Sequence, residues 1–302
     1  MSNKWIDVAS PQVPAATIAV DALRVRVQYV QQLLPLAAHE FKKDIEHVHQ
    51  LRVACRRADA TLKAFRPLLR KQGRCRSLQK WLRRIRRAAG PARDLDVLLM
   101  RLKGAQNDDS NRAHLIARLE QQRSAVQRRL VNVEAKAKSG KLERSLERCL
   151  VSFVEGKKTN ANLTFGQFAR ASFKKAGRPI RRLAGTLDPT LEQLHRLRIA
   201  SKRLRYSIEF FHSAFDSQLR TDLYPLVEKL QTRLGRINDH VTAQAFFRQL
   251  LLDMPMDSRA AYLARCIVEQ QESAEQLREE FLDWWSPRRI ASFESMLMTM
   301  SH

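Results

Sequence analysis

An all-helical fold is what this sequence predicts, and three observations carry that expectation. Glycine and proline are scarce, 9 and 10 in 302 residues, so few positions punctuate the chain. Ala, Leu, Arg, Lys, Glu and Gln dominate, and these are strong helix formers. Apolar residues recur at steps of three and four, and no stretch alternates apolar with polar as a half-buried strand would.

The elements follow in order. A first helix is expected over residues 15–34, with Pro35 marking a bend. A second covers 42–71, and a strongly basic helix covers 74–89. Another begins after Gly90-Pro91, where proline suits the first helical turn. Residues 108–155 are long, charged and periodic, and include a connecting helix. The loop between halves falls at 156–162. Asp188-Pro189 precedes a helix over 191–215, followed by one over 218–234, then Gly235 and another helix. One or two helices follow residue 255, with Trp284 and Trp285 packing against the body. The resulting division is a tail (1–14), a first helical half (15–105), a connecting segment (106–162), a second half (163–252) and an acidic C-terminal segment (253–302).

Within that frame one motif occurs twice, about 146 residues apart. Residues 49–65 read HQLRVACRRADATLKAF and residues 195–211 read HRLRIASKRLRYSIEFF. At 100° per residue, His49, Arg52, Arg56, Ala60 and Lys63 share one stripe, with Arg57 beside it. Leu51, Ala54, Ala58, Leu62 and Phe65 lie opposite. In the second copy His195, Arg198, Lys202 and Tyr206 form the stripe, bordered by Arg203. Leu197, Ala200, Leu204, Ile208 and Phe211 form its apolar side. Ordinary surface helices mix charge signs at i,i+4 to gain a few tenths of a kcal/mol per pair. A stripe that is nearly all positive is repulsive unless an anion sits on it.

A recurrence at half the chain length implies two related units. A second correspondence supports this: the segment Ala89-Gly90-Pro91-Ala92-Arg93-Asp94 matches Leu234-Gly235-Arg236-Ile237-Asn238-Asp239. Gly90 and Gly235 are expected to end one helix. Asp94 and Asp239 then fall near the start of the next, where a carboxylate favours the helix dipole and bridges to a nearby Arg, fixing its rotamer.

Composition limits the function. The net charge is +24 and the pI about 10.8. From residue 70 to 93 there are ten Lys/Arg and no acids. After residue 253 the balance reverses, with Glu269, Glu272, Glu275, Glu279, Glu280 and Asp283. Such a field attracts polyanions without specifying which. The 44% hydrophobic content supports a real core. Of four cysteines, Cys55 and Cys149 read as small core residues of a reducing compartment, with no CxxC and no metal-type spacing. No run of eighteen apolar residues and no signal-peptide pattern occurs, so a soluble cytoplasmic protein without a membrane partner is expected.

The paired HxxR helices, each followed by a Gly and an (R/N)D segment, resemble the CHAD family, the conserved histidine α-helical domain, over roughly residues 15–290. The resemblance implies two four-helix bundles related by a pseudo-twofold and enclosing a basic groove or pore. It also implies binding of long inorganic polyphosphate rather than catalysis, no cofactor, and association with polyphosphate granules. Carried over by motif, the binding residues are His49, Arg52, Arg56 and Arg57, then His195, Arg198, Lys202 and Arg203. Lys202 stands where the first copy has Arg56, which exchanges a forked donor for a point charge. Asp59 stands where the second copy has Arg205, so the two halves are expected to bind unequally.

Polyphosphate chemistry suits such stripes. The polymer carries about one negative charge per phosphate and no bases, so it needs files of cations and no aromatic platforms. Histidine adds a donor that strengthens on protonation, so binding is expected to tighten as pH falls from about 7.5 to about 6. Lys63, Tyr206, Arg24, Arg26, Arg93, the Arg83–Arg87 cluster, Arg178, Arg181 and Arg182 are candidates to extend the path. Nucleic acid is the competing ligand, since clustered Arg and a pI above about 9 are its footprint too. Catalysis as a phosphohydrolase or phosphotransferase is the third reading. His47 and His49 make a poor metal pair, because residues two apart diverge on a helix, and His47 reads as structural. His240 lies beside the second (R/N)D segment without a counterpart in the first.

Overall fold

The computed structural model describes residues 4–69, 71–104, 110–159, 163–186, 188–252 and 258–300. Among these residues the chain forms eleven α-helices, and its strand-like pairing is a single bridge between Pro14 and Thr164. It is an all-α protein. Contacts divide it into two units, Met1–Phe168 and Ala169–His302.

The first unit begins with α1 (Ala15–His39), which packs against α2 (Glu46–Phe65). α1 runs through Pro35 instead of stopping there. Proline removes one backbone bond, but Leu33, Leu34, Ala37 and Ala38 on either side are all buried and hold the helix in the core. α2 is shorter than 42–71 at both ends. Asp44 accepts the Glu46 N–H at 2.8 Å and starts it. Pro67 has no N–H with which to continue the helical ladder, and a 3-10 turn, Arg66–Leu68, follows. The apolar side of α2 is buried throughout, with Leu51, Ala58 and Phe65 fully covered. Burying Leu51 and Phe65 contributes about 1.5–3 kcal/mol each.

α3 (Arg76–Ala88) lies against α2, and α4 (Gly90–Gly104) packs on α5 (Ser110–Lys136). The expected connecting helix is broken at Ala137–Lys141, where Gly140 has φ 75°, a left-handed backbone that glycine adopts without a Cβ clash. α6 (Leu142–Thr159) then returns along α1. Of the loop expected at 156–162, residues 156–159 extend α6 and 160–162 lie outside the described residues.

One expectation is overturned here. Cys149 is not a reduced core residue but is joined to Cys75 as a disulfide. α6 lies against the turn that precedes α3, which brings together two cysteines 74 positions apart. The same seam carries Arg74 to Glu155 at 2.6 Å and Ser77 to Ser145 at 2.8 Å. Cys55 and Cys266 are free and buried.

The interior of this unit also holds a satisfied polar network. Arg123 donates to Asp96 at 2.6 Å and to Gln127 at 2.8 Å. Gln127 in turn donates to the Ala37 and Ala38 carbonyls at 2.8 and 2.7 Å, closing the end of α1. Phe41 lies 4.6 Å from the Arg123 guanidinium.

The second unit contains α7 (Phe165–Ala184) from Ala169 onward, α8 (Leu191–Phe211), α9 (Tyr224–Leu252), α10 (Ser258–Trp284) and α11 (Pro287–Thr299). α8 opens on a capping box: Thr190 accepts the Gln193 N–H at 3.3 Å and the Gln193 side chain accepts the Thr190 N–H at 2.7 Å. α9 packs between α8 and α10. It passes through Gly235 without a break, contrary to the expectation of a helix end there. Leu230, Leu234 and Ile237 keep the helical period across the glycine and are buried. Asp239 therefore sits mid-helix, not at a helix start. Trp285 is buried and donates to the Ala184 carbonyl at 3.1 Å, while Trp284 stacks on it with ring centroids 5.4 Å apart. Among the described residues no helix is long and apolar enough to cross a membrane.

Candidate anion-binding site

In the first unit the polar face of α2 gathers cations from three helices. His49, Arg52 and Arg56 lie one turn apart along it and are half-buried. Arg93 from α4 bears electrostatically on His49 and Arg52, and Arg86 from α3 on Arg52. Burial makes the charge on Arg52 costlier than usual. Asp94 opposes that effect, while Arg56, Arg93 and Arg86 add to it. His49 is held below the ordinary histidine range by burial, then by Arg93. Glu46 pulls the other way, and Arg56 and Arg52 press it further down. Burial and mutual repulsion therefore both act against the charges of His49 and Arg52, a penalty that a neighbouring anion would offset.

The carboxylates present do not neutralise the cluster. Arg52 reaches Asp94 at 3.4 Å, with side chains 24% and 54% exposed. A long pair at that exposure is worth under about 1 kcal/mol. Arg93 pairs with Glu46 at 3.2 Å. Asp59 takes Lys63 at 2.7 Å and Arg86 at 3.9 Å. Arg56 pairs with no carboxylate among the described residues, and its buried Nε has no hydrogen-bond partner. Beneath the file Cys55 is sealed, its thiol pushed up to about 12 by burial.

Gly90 leaves room for an arginine side chain. A Cβ there would come within 3.2 Å of Arg52 Nη1. The guanidinium passes over this bare backbone and donates to the Ala89 carbonyl at 3.5 Å. At Gly235 a Cβ would meet nothing within 4 Å, so the matching glycine has no such neighbour.

The second unit builds its stripe differently. His195 is exposed on α8, and its Nδ1 lies 2.8 Å from Asn238 Oδ1 on α9. Arg198, Lys202 and Tyr206 follow and are half-buried, while Arg203 is exposed. Tyr206 stacks on Phe210 at 6.1 Å, and the Arg205 guanidinium lies 5.5 Å from its ring. Glu209, fully buried, is 3.6 Å from Arg205 and accepts from the Tyr224 hydroxyl at 3.1 Å. Burial opposes the charge on Arg205, but Glu209, with Tyr206 and Tyr224, outweighs it and holds the guanidinium above its ordinary range. The i,i+4 pair Asp59–Lys63 of α2 thus recurs at the same register of α8 with its signs reversed, as Arg205–Glu209.

The remaining candidates scatter. Arg24 is exposed on α1, and Arg178, Arg181 and Arg182 are exposed on α7. Arg26 is buried, 6% exposed, and donates to the Lys4 carbonyl at 3.4 Å, so it does not extend a surface path. Arg83 and Arg87 are exposed and, with Lys80 and Arg84, face a cleft of about 490 Å³ against α3. Lys63 is committed to Asp59. Arg57 is half-buried, and Thr61 bonds back to its carbonyl at 2.9 Å. Asp239 is exposed and forms no ion pair among the described residues, unlike Asp94. His240 contacts Gln270 at 3.0 Å. No group of three or more metal-ligating side chains occurs among the described residues.

Three participants are picked out by the packing. Asn238 was noted only as the variant residue of the (R/N)D segment, and its amide at the His195 ring is invisible without the α8–α9 packing. Arg86 belongs to the Arg83–Arg87 cluster, four arginines in a run of five residues, and only packing on α2 singles it out. Glu46 lies one turn before His49, a spacing that does signal contact on a helix.

A family model for the CHAD domain matches residues 21–248. The crystal structure of the CHAD domain from the plant Ricinus communis is similar with a TM-score of 0.73 at 22% identity, covering 98% of this chain and 96% of that one. PptA from Streptomyces chartreusis is similar with a TM-score of 0.62 at 18% identity, covering 90% of this chain and 99% of that one. At these identities the likeness establishes a shared fold. No curated protein sequence matches significantly.

Proposed function

The chain belongs to the CHAD domain family, and on that premise we propose that it binds long-chain inorganic polyphosphate through the cationic faces of α2 and α8, without turning it over. The observation that carries this reading is the crowding of Arg52, Arg56, Arg86 and Arg93 around His49, where burial and mutual repulsion disfavour the charges of Arg52 and His49. A polyanion supplies what the scattered carboxylates do not. Arginine forks give bidentate phosphate contacts and Lys202 a mobile one. Base recognition has little to work with, since Tyr206 is the aromatic residue of the stripes and is stacked on Phe210. Binding of this kind would place the protein on polyphosphate granules.

The test compares long polyphosphate, duplex DNA and single-stranded RNA, matched for charge, at about 0.15 and 0.3 M salt, because nonspecific phosphate contacts weaken steeply with salt. Polyphosphate binding that outlasts the other two supports a dedicated site. Equal loss for all three makes nucleic acid the leading ligand. Phosphate release from polyphosphate with added Mg²⁺ would establish turnover instead.

A further inference from the structure

The motif histidine of the second unit is held by an amide whose orientation is fixed. Asn238 Nδ2 donates to Thr242 Oγ1 at 3.2 Å. The Thr242 hydroxyl spends its own hydrogen on the Asn238 backbone carbonyl, 2.7 Å away. Turning the amide over would set Oδ1 against a hydroxyl oxygen with no hydrogen left to give. The amide oxygen therefore faces the ring and accepts, so His195 Nδ1, 2.8 Å away, carries the hydrogen. A neutral imidazole has one N–H. Nε2 of neutral His195 is consequently a bare lone pair.

Phosphate oxygens at neutral pH are acceptors, and a bare Nε2 offers them nothing. The imidazolium, with both nitrogens protonated, offers an N–H and a charge. We propose that Asn238 is a positioning residue that makes His195 a proton-gated donor to phosphate, closed to it when neutral and open when protonated. The gating of a phosphate rests on the polyphosphate reading above; the tautomer does not.

Charged groups near this ring lie on its own helix and on the helix packed against it. On α8, Glu192 lies one turn back, is paired with Arg196 and interacts with His195, and Arg198 lies one turn on. On α9, the helix packed against α8, Asp239 adjoins Asn238. The first unit has no such gate. Its segment presents Arg93 where the second presents Asn238, and Arg93 pairs with Glu46 and presses on His49 as a cation. The two histidines are different devices in equivalent motif positions.

The experiment uses the full chain with His49→Gln, so that His195 is the motif histidine that remains. ¹⁵N spectra of the imidazole and long-chain polyphosphate affinity are both followed from about pH 8.5 to about pH 5, spanning the ordinary histidine range. With Asn238 intact, the neutral ring should show the Nδ1–H tautomer. Affinity should rise by up to about tenfold per pH unit as His195 gains its proton, the limit for one linked proton. Asn238→Asp keeps an acceptor at Nδ1, so the tautomer persists, and its negative charge moves the rise to higher pH. Asn238→Ala frees the ring to carry its hydrogen on Nε2. The pH dependence should flatten, and affinity near pH 8 should equal or exceed that of the parent, at about the pH where a neutral donor matters most. An Nε2–H tautomer in the parent overturns the proposal, as does an Asn238→Ala variant weakened equally at every pH with its tautomer unmoved. If the parent binds no polyphosphate at any pH, the polyphosphate reading and the gate both fail, and the tautomer spectra still decide whether Asn238 positions the ring.

Discussion

The matched glycines Gly90 and Gly235 give opposite predictions for the same substitution. In Gly90→Ala the new Cβ lies 3.2 Å from Arg52 Nη1, so the guanidinium must retreat by a few tenths of an ångström. Its two bonds already stand at 3.5 Å to Ala89 and 3.4 Å to Asp94, and contacts near 3.6 Å no longer count as hydrogen bonds. Both are lost together. The cost in stability is below about 1 kcal/mol for so exposed a pair. Restricting the unfolded backbone returns about 0.4–1 kcal/mol, so the unfolding midpoint stays nearly unchanged. Affinity does not. A charge-assisted contact is worth about 1.5–3 kcal/mol, and partial displacement of Arg52 should weaken polyphosphate binding by about tenfold. Gly235→Ala places a Cβ in open space inside α9. It should stabilise the protein by about 0.4–1 kcal/mol, raising Tm by about 2–4 °C per kcal/mol, with affinity unaltered. Thermal unfolding and polyphosphate titration of both variants read this out. A Gly90→Ala protein of full affinity, or a Gly235→Ala protein of lower Tm, refutes the reasoning.

His49 has a folded-state pKa below its ordinary value through burial and Arg93. The unfolded chain therefore takes up a proton that the folded chain resists, and this group's contribution to stability is present above about pH 6.5 and lost as pH falls toward the folded value. His49→Gln should flatten the loss of stability between about pH 6.5 and about pH 5, measured as denaturation midpoints; an unchanged profile contradicts this. Removing one partner of the buried Asp96–Arg123 pair, as in Asp96→Ala, should cost about 3–5 kcal/mol. The double change Asp96→Leu with Arg123→Met should recover most of it in urea unfolding, and a double variant no better than the single one counts against the network's role. The Cys75–Cys149 bridge predicts two alkylatable thiols in the unreduced, unfolded protein, Cys55 and Cys266. Closing a loop of 74 positions is worth roughly 4 kcal/mol in the chain-entropy account, so reduction should lower the unfolding midpoint of the first unit; four alkylated thiols would disprove the bridge.

The helical class and both motif faces were readable because a 3.6-residue apolar period is a property of the chain itself. Leu51, Ala58 and Phe65 are buried where that period puts them. The failures came where local rules met tertiary packing. Gly235 carries the same local signal as Gly90, yet Leu234 and Ile237 hold α9 together across it, while the chain breaks between α3 and α4. Pro35 is overridden in the same way by its buried neighbours. The site divides likewise. His49, Arg52 and Arg56 follow from spacing on one helix, but Arg86, Arg93 and Asn238 enter from other helices. Nothing in the run of arginines says that Arg86 turns toward Asp59 while Arg83 and Arg87 face outward. The disulfide depends on α6 meeting the turn before α3, a contact that cysteine spacing does not encode.

The most direct measurement is polyphosphate affinity at about 0.3 M salt, where generic charge attraction is weakened, for two variants of altered charge. One carries Arg52→Ala and Arg198→Ala on the motif helices, and the other Arg178→Ala, Arg181→Ala and Arg182→Ala on the exposed face of α7. The motif-helix double variant should lose at least about tenfold per arginine removed, and the α7 triple variant, which gives up more charge, should lose less. Equal or greater loss in the α7 variant would mean that net charge, and not the files on α2 and α8, binds the polymer.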